Sequence, residues 1–241
     1  MLEELSLNAW PALQNVVYDG WILRFAEGYT RRANSINPIY ASTLPVDDKI
    51  AHCEALYRAK QLPTVFKLTA ESNPAALDER LAARGYAKEA RTRVMALTID
   101  APIAVPFEHV VLEGQYSERW LQDYCRLSGR STSYLPTMRR MLDNLVDRAI
   151  FASLPIDGQT VALGMGVVAQ GYVGLFDIAT AEAFRRRGFA SELIQAILAW
   201  AQTNGANYSY LQVMCDNLPA LRLYEKFGYC EQYQYWYRVE G

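Results

Sequence analysis

The sequence predicts an α+β (α/β) fold built from two related units, on three observations. Apolar strand-like runs alternate with amphipathic helical stretches along all 241 residues. A segment running from Asn through a helix to Gly-Tyr occurs twice, at Asn73 to Tyr86 and at Asn217 to Tyr229. Between the copies lies a proline-bearing stretch, Thr98 to Pro106, that interrupts one apolar run before the next. The boundary is placed near residue 102, giving units 1–102 and 103–241, each of ordinary domain size.

Trp21 to Phe25 reads as a strand, and Asp47 to Lys60 as a helix with Ile50, Cys53, Leu56 and Tyr57 on one face. Strand Thr64 to Leu68, helix Pro74 to Ala83 and strand Ala90 to Ile99 complete the first unit. The second opens with a strand-like run at Phe107, then helices Glu118 to Leu127 and Met138 to Leu145. A hairpin, Ala149 to Leu154 and Val161 to Ala169, turns at Ile156 to Gln159 around Asp-Gly. Strand Tyr172 to Ala179, helix Gly188 to Thr203, strand Asn207 to Cys215, helix Leu218 to Phe227 and strand Tyr233 to Val239 follow. The two Asn-to-Gly-Tyr segments differ by one residue in length. Asn N-caps and Gly C-caps are common enough to arise independently, but the apolar strand ahead of each copy favours duplication.

Composition removes several function classes. A hydrophobic content of 51% excludes disorder. With 26 acidic and 24 basic side chains there is no basic field for nucleic acid or an anionic membrane. No apolar run approaches the roughly 20 residues of a membrane helix, and the acidic start Met1 to Ser6 reads as a mature cytoplasmic N-terminus. Four scattered cysteines and two histidines, His52 and His109, form no metal-ligand spacing and no hydrolase triad. No metal is expected.

The chemistry concentrates after residue 176. Arg185 to Ala190, RRRGFA, follows a strand and opens a helix with Leu193, Ile194, Ile197, Leu198 and Ala201 at helical spacing. Free amides at a helix start, with the dipole behind them, suit a pyrophosphate, and the arginines add charge. A solvated helix entry has the same composition. Neither G-x-G-x-x-G nor G-K-[ST] is present. Asn217 then follows the next strand, Pro219 takes a first-turn position, and Tyr224 lies one turn after Ala220. An N-cap Asn and a core Tyr account for these two singly, but less well for their joint occurrence after the basic loop.

Together these residues resemble the GNAT superfamily of acetyl-CoA-dependent N-acetyltransferases, with R-x-x-G-x-A at Arg185, Gly188 and Ala190 and N-x-x-A-x-x-x-Y at Asn217, Ala220 and Tyr224. The resemblance covers Ile178 to Tyr229 strongly. It implies a mixed, mostly antiparallel sheet flanked by helices, in two tandem units of which the first is degenerate. It also implies that the main chain of Ile178, Ala179 and Thr180 pairs with the pantetheine arm like an added strand. The loop amides of Arg186, Arg187, Gly188, Phe189, Ala190 and Ser191 would hold the pyrophosphate, and Asn217 and Ala220 would contact the cofactor. Tyr224 would protonate the departing thiolate. Where some relatives carry a basic glutamate this sequence has Gln212, which accepts no proton. Asp177 is the preferred base or ammonium anchor, ahead of a water chain and Asp216.

The first unit lacks the R-x-x-G-x-A loop, and counting from Asn73 puts Arg80 where Tyr224 stands, so CoA binding is not expected there. By similarity to tandem relatives, Arg32, Asn34 and Ser35 are candidates to shape the acceptor pocket, alongside a plain solvated loop. Tyr233, Tyr235, Trp236 and Tyr237, with Trp21, Tyr29 and Trp120, serve either as core or as an apolar acceptor cleft. The expected activity is transfer of an acetyl group to a primary amine of a small molecule, such as an amino acid, a peptide-like metabolite or an antibiotic, by a monomer or homodimer. A protein N-terminal or lysine acetyltransferase and a non-catalytic CoA-binding regulatory module are the alternatives.

Overall fold

The computed structural model describes residues 1–103 and 109–241, so a strand beginning at Phe107 lies outside the described residues. Helix α1 (Leu2–Ala9) precedes β1 (Gln14–Tyr18), β2 (Trp21–Phe25), β3 (Ile36–Pro38), α2 (Val46–Ala59), β4 (Val65–Thr69), α3 (Leu77–Ala83) and β5 (Ala87–Thr98). Then come β6 (Val111–Glu113), α4 (Glu118–Ser128), α5 (Leu135–Asp143), β7 (Arg148–Ile156), β8 (Gln159–Ala169), β9 (Tyr172–Thr180), α6 (Phe189–Thr203), β10 (Tyr208–Met214), α7 (Leu218–Lys226) and β11 (Cys230–Val239). Helix α1 was not foreseen, although Glu3 and Glu4 in its first turn and Leu2, Leu5 and Ala9 on one side follow the helical pattern.

Local chemistry explains the strongest elements. The turns Asp19-Gly20, Asp157-Gly158 and Gln170-Gly171 have positive φ at both residues, as two-residue hairpin loops require. They close β1 on β2, β7 on β8 and β8 on β9. Helix α4 starts where Ser117 Oγ accepts the Trp120 amide and ends at Gly129 in the left-handed region. Helix α6 buries Leu193, Ile194, Ile197 and Leu198 against β8 and its neighbours. At about 1.5–3 kcal/mol per large apolar side chain, that face holds the helix to the sheet.

The sheet is mixed and mostly antiparallel, as expected, in the order β1-β2-β3-β4-β11-β5-β10-β9-β8-β7-β6. Among the described residues, only β3 with β4 and β9 with β10 run parallel. The series β1-β2-β3-α2-β4-α3-β5 recurs as β7-β8-β9-α6-β10-α7-β11, but the final strands cross over. Strand β5 lies between β10 and β11, and β11 lies between β4 and β5. A cut at residue 102 therefore divides the chain but not the sheet.

The repeated segments end alike. Gly85 and Gly228 both adopt positive φ, and Tyr86 and Tyr229 donate their amides to the carbonyls of Leu81 and Tyr224. Measured from this shared C-cap, Leu81 and not Arg80 occupies the place of Tyr224, and it is fully buried. The extra residue is absorbed at the start. Asn217 Oδ1 caps α7 through the Ala220 amide at 3.3 Å. Asn73 caps nothing: its amide donates to the Pro38 carbonyl and its carbonyl accepts Trp21 Nε1 at 2.9 Å. Helix α3 accordingly begins at Leu77, three residues later than expected at Pro74.

Candidate active site

The site opens where two parallel strands part. Strands β9 and β10 pair from Tyr172 with Tyr208 to Leu175 with Leu211, and no further. Beyond that point β10 keeps only its antiparallel partner β5, and β9 only β8. At Asp177 the backbone takes φ +54°, and the register with β8 shifts opposite Gly164. This is a bulge, and it re-aims the strand. Gly164 permits it, since a Cβ there would collide with the Ile178 side chain. From Phe176 to Thr180 the β9 main chain facing β10 has no strand partner, which includes the expected cofactor segment Ile178, Ala179 and Thr180.

The loop after β9 leaves its backbone amides open. Arg186 and Gly188 take φ of +63° and +89°, and Gly188 begins α6 without a side-chain cap. Among the described residues, no backbone or side-chain acceptor meets the amides of Arg186 to Ser191. Free amides so placed, at the positive end of a fifteen-residue helix, suit two phosphate groups. Nothing lies within 4 Å of where a Gly188 Cβ would be, so the approach is open. Arg185, Arg186 and Arg187 have no carboxylate partner among the described residues, while Arg187 rests over the Phe184 ring at 5.1 Å.

A cavity of about 540 Å³ occupies the gap between the strands. It brings together Asp177, Ile178, Gln212, Asn217, Ala220, Tyr224, Tyr235 and Arg32, all singled out in the sequence. The Tyr224 hydroxyl has no hydrogen-bond partner among the described residues, and burial pushes its pKa up to about 12, so the phenol keeps its proton at neutral pH. Asn217 spends Oδ1 on its cap and leaves its amide protons unpaired, so the cap and the ligand-facing donor coexist in one side chain. Gln212 Oε1 accepts the Tyr235 hydroxyl at 3.2 Å. Asp216 does not line the cavity.

Asp177 is nearly enclosed, with 6% of its side chain exposed. Its Oδ1 accepts Arg32 Nη2 at 3.2 Å, while the buried Oδ2 has no partner. Arg32 is flanked by the Trp10 ring at 4.7 Å and the Phe176 ring at 5.8 Å. Burial works against its charge, but Asp177 and the surrounding tyrosines hold its pKa above the ordinary value.

Two candidates move out of the pocket. Asn34 and Ser35 are buried and do not line the cavity. Asn34 Oδ1 accepts the amides of Ala26 and Gly28, and Nδ2 donates to the carbonyls of Ala26 and Thr30. It ties down the loop that presents Tyr29 to Arg32, and Ser35 pairs through its carbonyl with the Arg24 amide. Of the aromatics, Tyr29, Tyr235 and Tyr237 line the cavity. Trp21 and Trp120 are core, Tyr233 bonds Glu3, and Trp236 donates to Asp78.

No motif marks three further contributors. Buried Arg24 donates to the carbonyls of Arg32, Leu7 and Trp10, fixing α1 and the Arg32 turn together. Trp10 itself donates to Thr30 Oγ1 at 3.1 Å. Arg130, just beyond α4, reaches the cavity. The one available signal was Gly129, whose left-handed cap turns the chain toward it. Among the described residues, no three His, Cys, Asp or Glu side chains converge as metal ligands, and no helix is long and apolar enough to cross a membrane.

Comparison with known proteins bears on the family and the fold. A family model described as the C-terminal part of the probable histone acetyltransferase Rv0428c matches residues 1–238. An uncharacterized N-acetyltransferase of Bacillus subtilis, YobR, is 28% identical over 99% of this chain and 97% of its own length. The ribosomal protein bS18-alanine N-acetyltransferase of Salmonella typhimurium is 26% identical over 44% of this chain and 72% of its own. A GCN5-related N-acetyltransferase from Kribbella flavida shares the fold with a TM-score of 0.69 at 15% identity, over 99% of this chain and 95% of the other. A tandem GNAT protein from the clavulanic acid biosynthesis pathway gives 0.61 at 15% identity, over 81% and 70%.

Proposed function

The chain belongs to the Rv0428c C-terminal acetyltransferase family of GNAT N-acetyltransferases, and from that premise we propose that it transfers the acetyl group of acetyl-CoA to a primary amine of a small molecule by direct attack. One observation carries the reading. The unpartnered Tyr224 hydroxyl and the half-paired Asp177 carboxylate share one cavity, at the point where β9 offers an unpaired edge and the Arg186 to Ser191 amides stand free.

The residues fit acetyl-CoA. The edge of Ile178 to Thr180 would hold the pantetheine arm, the amides of Arg186 to Ser191 the pyrophosphate, and Asn217 an amide or carbonyl near the thioester. When bound, the thioester supplies the activated acetyl group. Asp177 Oδ2 holds the acceptor ammonium and takes its proton, leaving a neutral amine to attack. Tyr224 gives its proton to the departing sulfur. A phenol near 12 is a weak acid toward a thiolate of pKa about 8.5, so transfer depends on direct contact as negative charge develops on sulfur. No covalent enzyme intermediate is needed.

The acceptor is small because the Tyr29 to Arg32 turn of the first unit walls one side of the cavity. A protein N-terminus as acceptor is the second reading, favoured by the name of the Salmonella relative. We place the reaction in the cytoplasm, with no metal, nucleic acid or membrane taking part. Purified protein with acetyl-CoA and a panel of amines, read as free thiol, tests the proposal. Amine-dependent thiol release is expected; acetyl-CoA binding with no release for any amine or peptide would leave only a CoA-binding module.

A further inference from the structure

The cavity is built for more than an amine. Its lining contains four charged side chains, Arg31, Arg32, Arg130 and Asp177. Arg31 is paired with Glu89 at 2.6 Å and Arg32 with Asp177 at 3.2 Å. Arg130 has no carboxylate partner among the described residues. Its Nε donates to the Tyr124 hydroxyl at 3.0 Å and its guanidinium lies 5.4 Å from the Tyr29 ring centre. Those contacts use one N–H and one face, and leave both terminal nitrogens without a protein acceptor. A guanidinium held by its Nε presents a pre-oriented fork, the geometry that takes a carboxylate through two parallel hydrogen bonds.

The opposite charge is equally unfinished. Asp177 Oδ2 is buried without a partner, and a buried carboxylate oxygen left bare is costly unless a ligand supplies the donor. Burial opposes the charge of Arg130, whereas Tyr124, Tyr29 and Asp177 all favour it, so the two groups share one electrostatic field. Tyr29, Tyr235 and Tyr237 line the same cavity. An open cation and an open carboxylate in one cavity call for a ligand that carries both charges.

We propose that the acceptor is an amino carboxylic acid, its ammonium on Asp177 Oδ2, its carboxylate on the Arg130 fork and its apolar part against the tyrosines. This rests on the acetyl-transfer reading for the identity of the site and narrows its substrate class. The net charge of −2 says nothing of a pocket in which arginines outnumber carboxylates three to one.

The test is equilibrium binding to the CoA-loaded protein, by calorimetry, of free amino acids against their methyl esters and of short peptides with amidated C-termini. At least one free amino acid binds, and its ester binds about tenfold or more weakly, the ordinary weight of a charge-assisted hydrogen-bond pair. Arg130→Met brings that ratio near 1, while Arg130→Lys keeps part of it and shows that the effect follows charge rather than folding. An ester or amidated peptide that binds as tightly as the free acid overturns the proposal, as does an unchanged ratio in Arg130→Met. Thiol release is measured separately on the same ligands and on uncharged amines. Turnover of amines without any preference for the acid defeats this inference alone; a clear preference in binding without turnover of any amine defeats the catalytic reading and leaves the carboxylate site standing.

Discussion

The two helix entries that follow the inner parallel strands, α2 after β3 and α6 after β9, occupy matching positions in the repeated topology and have opposite contents. At the entry to α6, six consecutive amides and three arginines have no acceptor among the described residues. Ahead of α2, the protein has filled the place itself. Asp19, in the β1-β2 turn, accepts the amides of Thr43 and Leu44 and the hydroxyls of Ser42 and Thr43, all within 3.0 Å. Buried Lys49 adds an ion pair at 3.1 Å. The strands differ likewise. Strands β9 and β10 separate around a cavity, while the gap beside β3 and β4 is bridged by the Asn73 amide on the Pro38 carbonyl and filled by Trp21 and Leu77. One topology leaves its polar groups open in one copy and, in the other, satisfies them with an internal carboxylate and fills the gap with apolar side chains.

The largest effect in this contrast is expected from Gly188→Glu. A negative side chain at φ +89° meets the very amides that await an anion, and acetyl-CoA affinity by calorimetry should fall more than about 100-fold. Retained affinity would return that loop to the status of a plain helix entry. Tyr224→Phe removes only the hydroxyl, so acetyl-CoA should still bind while kcat, read as thiol release, drops by about 10²–10³. Full kcat in this variant would make Tyr224 no more functional than Leu81. Asp177→Asn leaves Arg32 without its partner and the acceptor without its anchor. A loss of about 10- to 100-fold in kcat/KM is expected. An unchanged kcat/KM would assign proton removal elsewhere.

The smallest catalytic effect belongs to the closed site. Asp19→Asn should leave kcat and acetyl-CoA affinity unaltered and lower Tm. Leu44's amide foremost, with Ser42 and Thr43, holds the Asp19 carboxyl well below the usual range. A depressed carboxyl contributes stability that is fully present above its unfolded pKa of about 4 and is lost as pH falls below it. Thermal unfolding of the wild type should therefore weaken between neutral and strongly acidic pH, and the Asn variant should show a shallower slope. Equal slopes would mean that Asp19 carries no such linkage.

The grouping of the residues expected to meet the cofactor was legible because it depends on local chain geometry. A glycine with positive φ, a basic helix entry and an N-cap Asn seven residues before a Tyr are all short-range features, and the structure brings them around one gap. The acceptor half was not. Asn34 and Ser35 look like exposed polar loop residues, but Arg24 and the loop amides draw them inward, where their hydrogen bonds hold the Tyr29 to Arg32 turn. Arg80 for Leu81 was a misalignment of one residue, made by counting from Asn73 instead of back from the shared Gly-Tyr that forms both C-caps.

By itself the sequence determined the class of fold, the alternation of elements, the basic helix entry at Gly188 and the N-capped helix that carries Tyr224. Each follows from periodicity, capping and dihedral preference within a few residues. Only the tertiary structure decided that β5 and β11 cross between the units, that Asp177 meets Arg32 from 145 residues away, and that Arg130 ends with an unclaimed fork in the same cavity. Those contacts join segments far apart in the chain. They are settled by which charges find partners once the sheet has formed, and no local pattern encodes that.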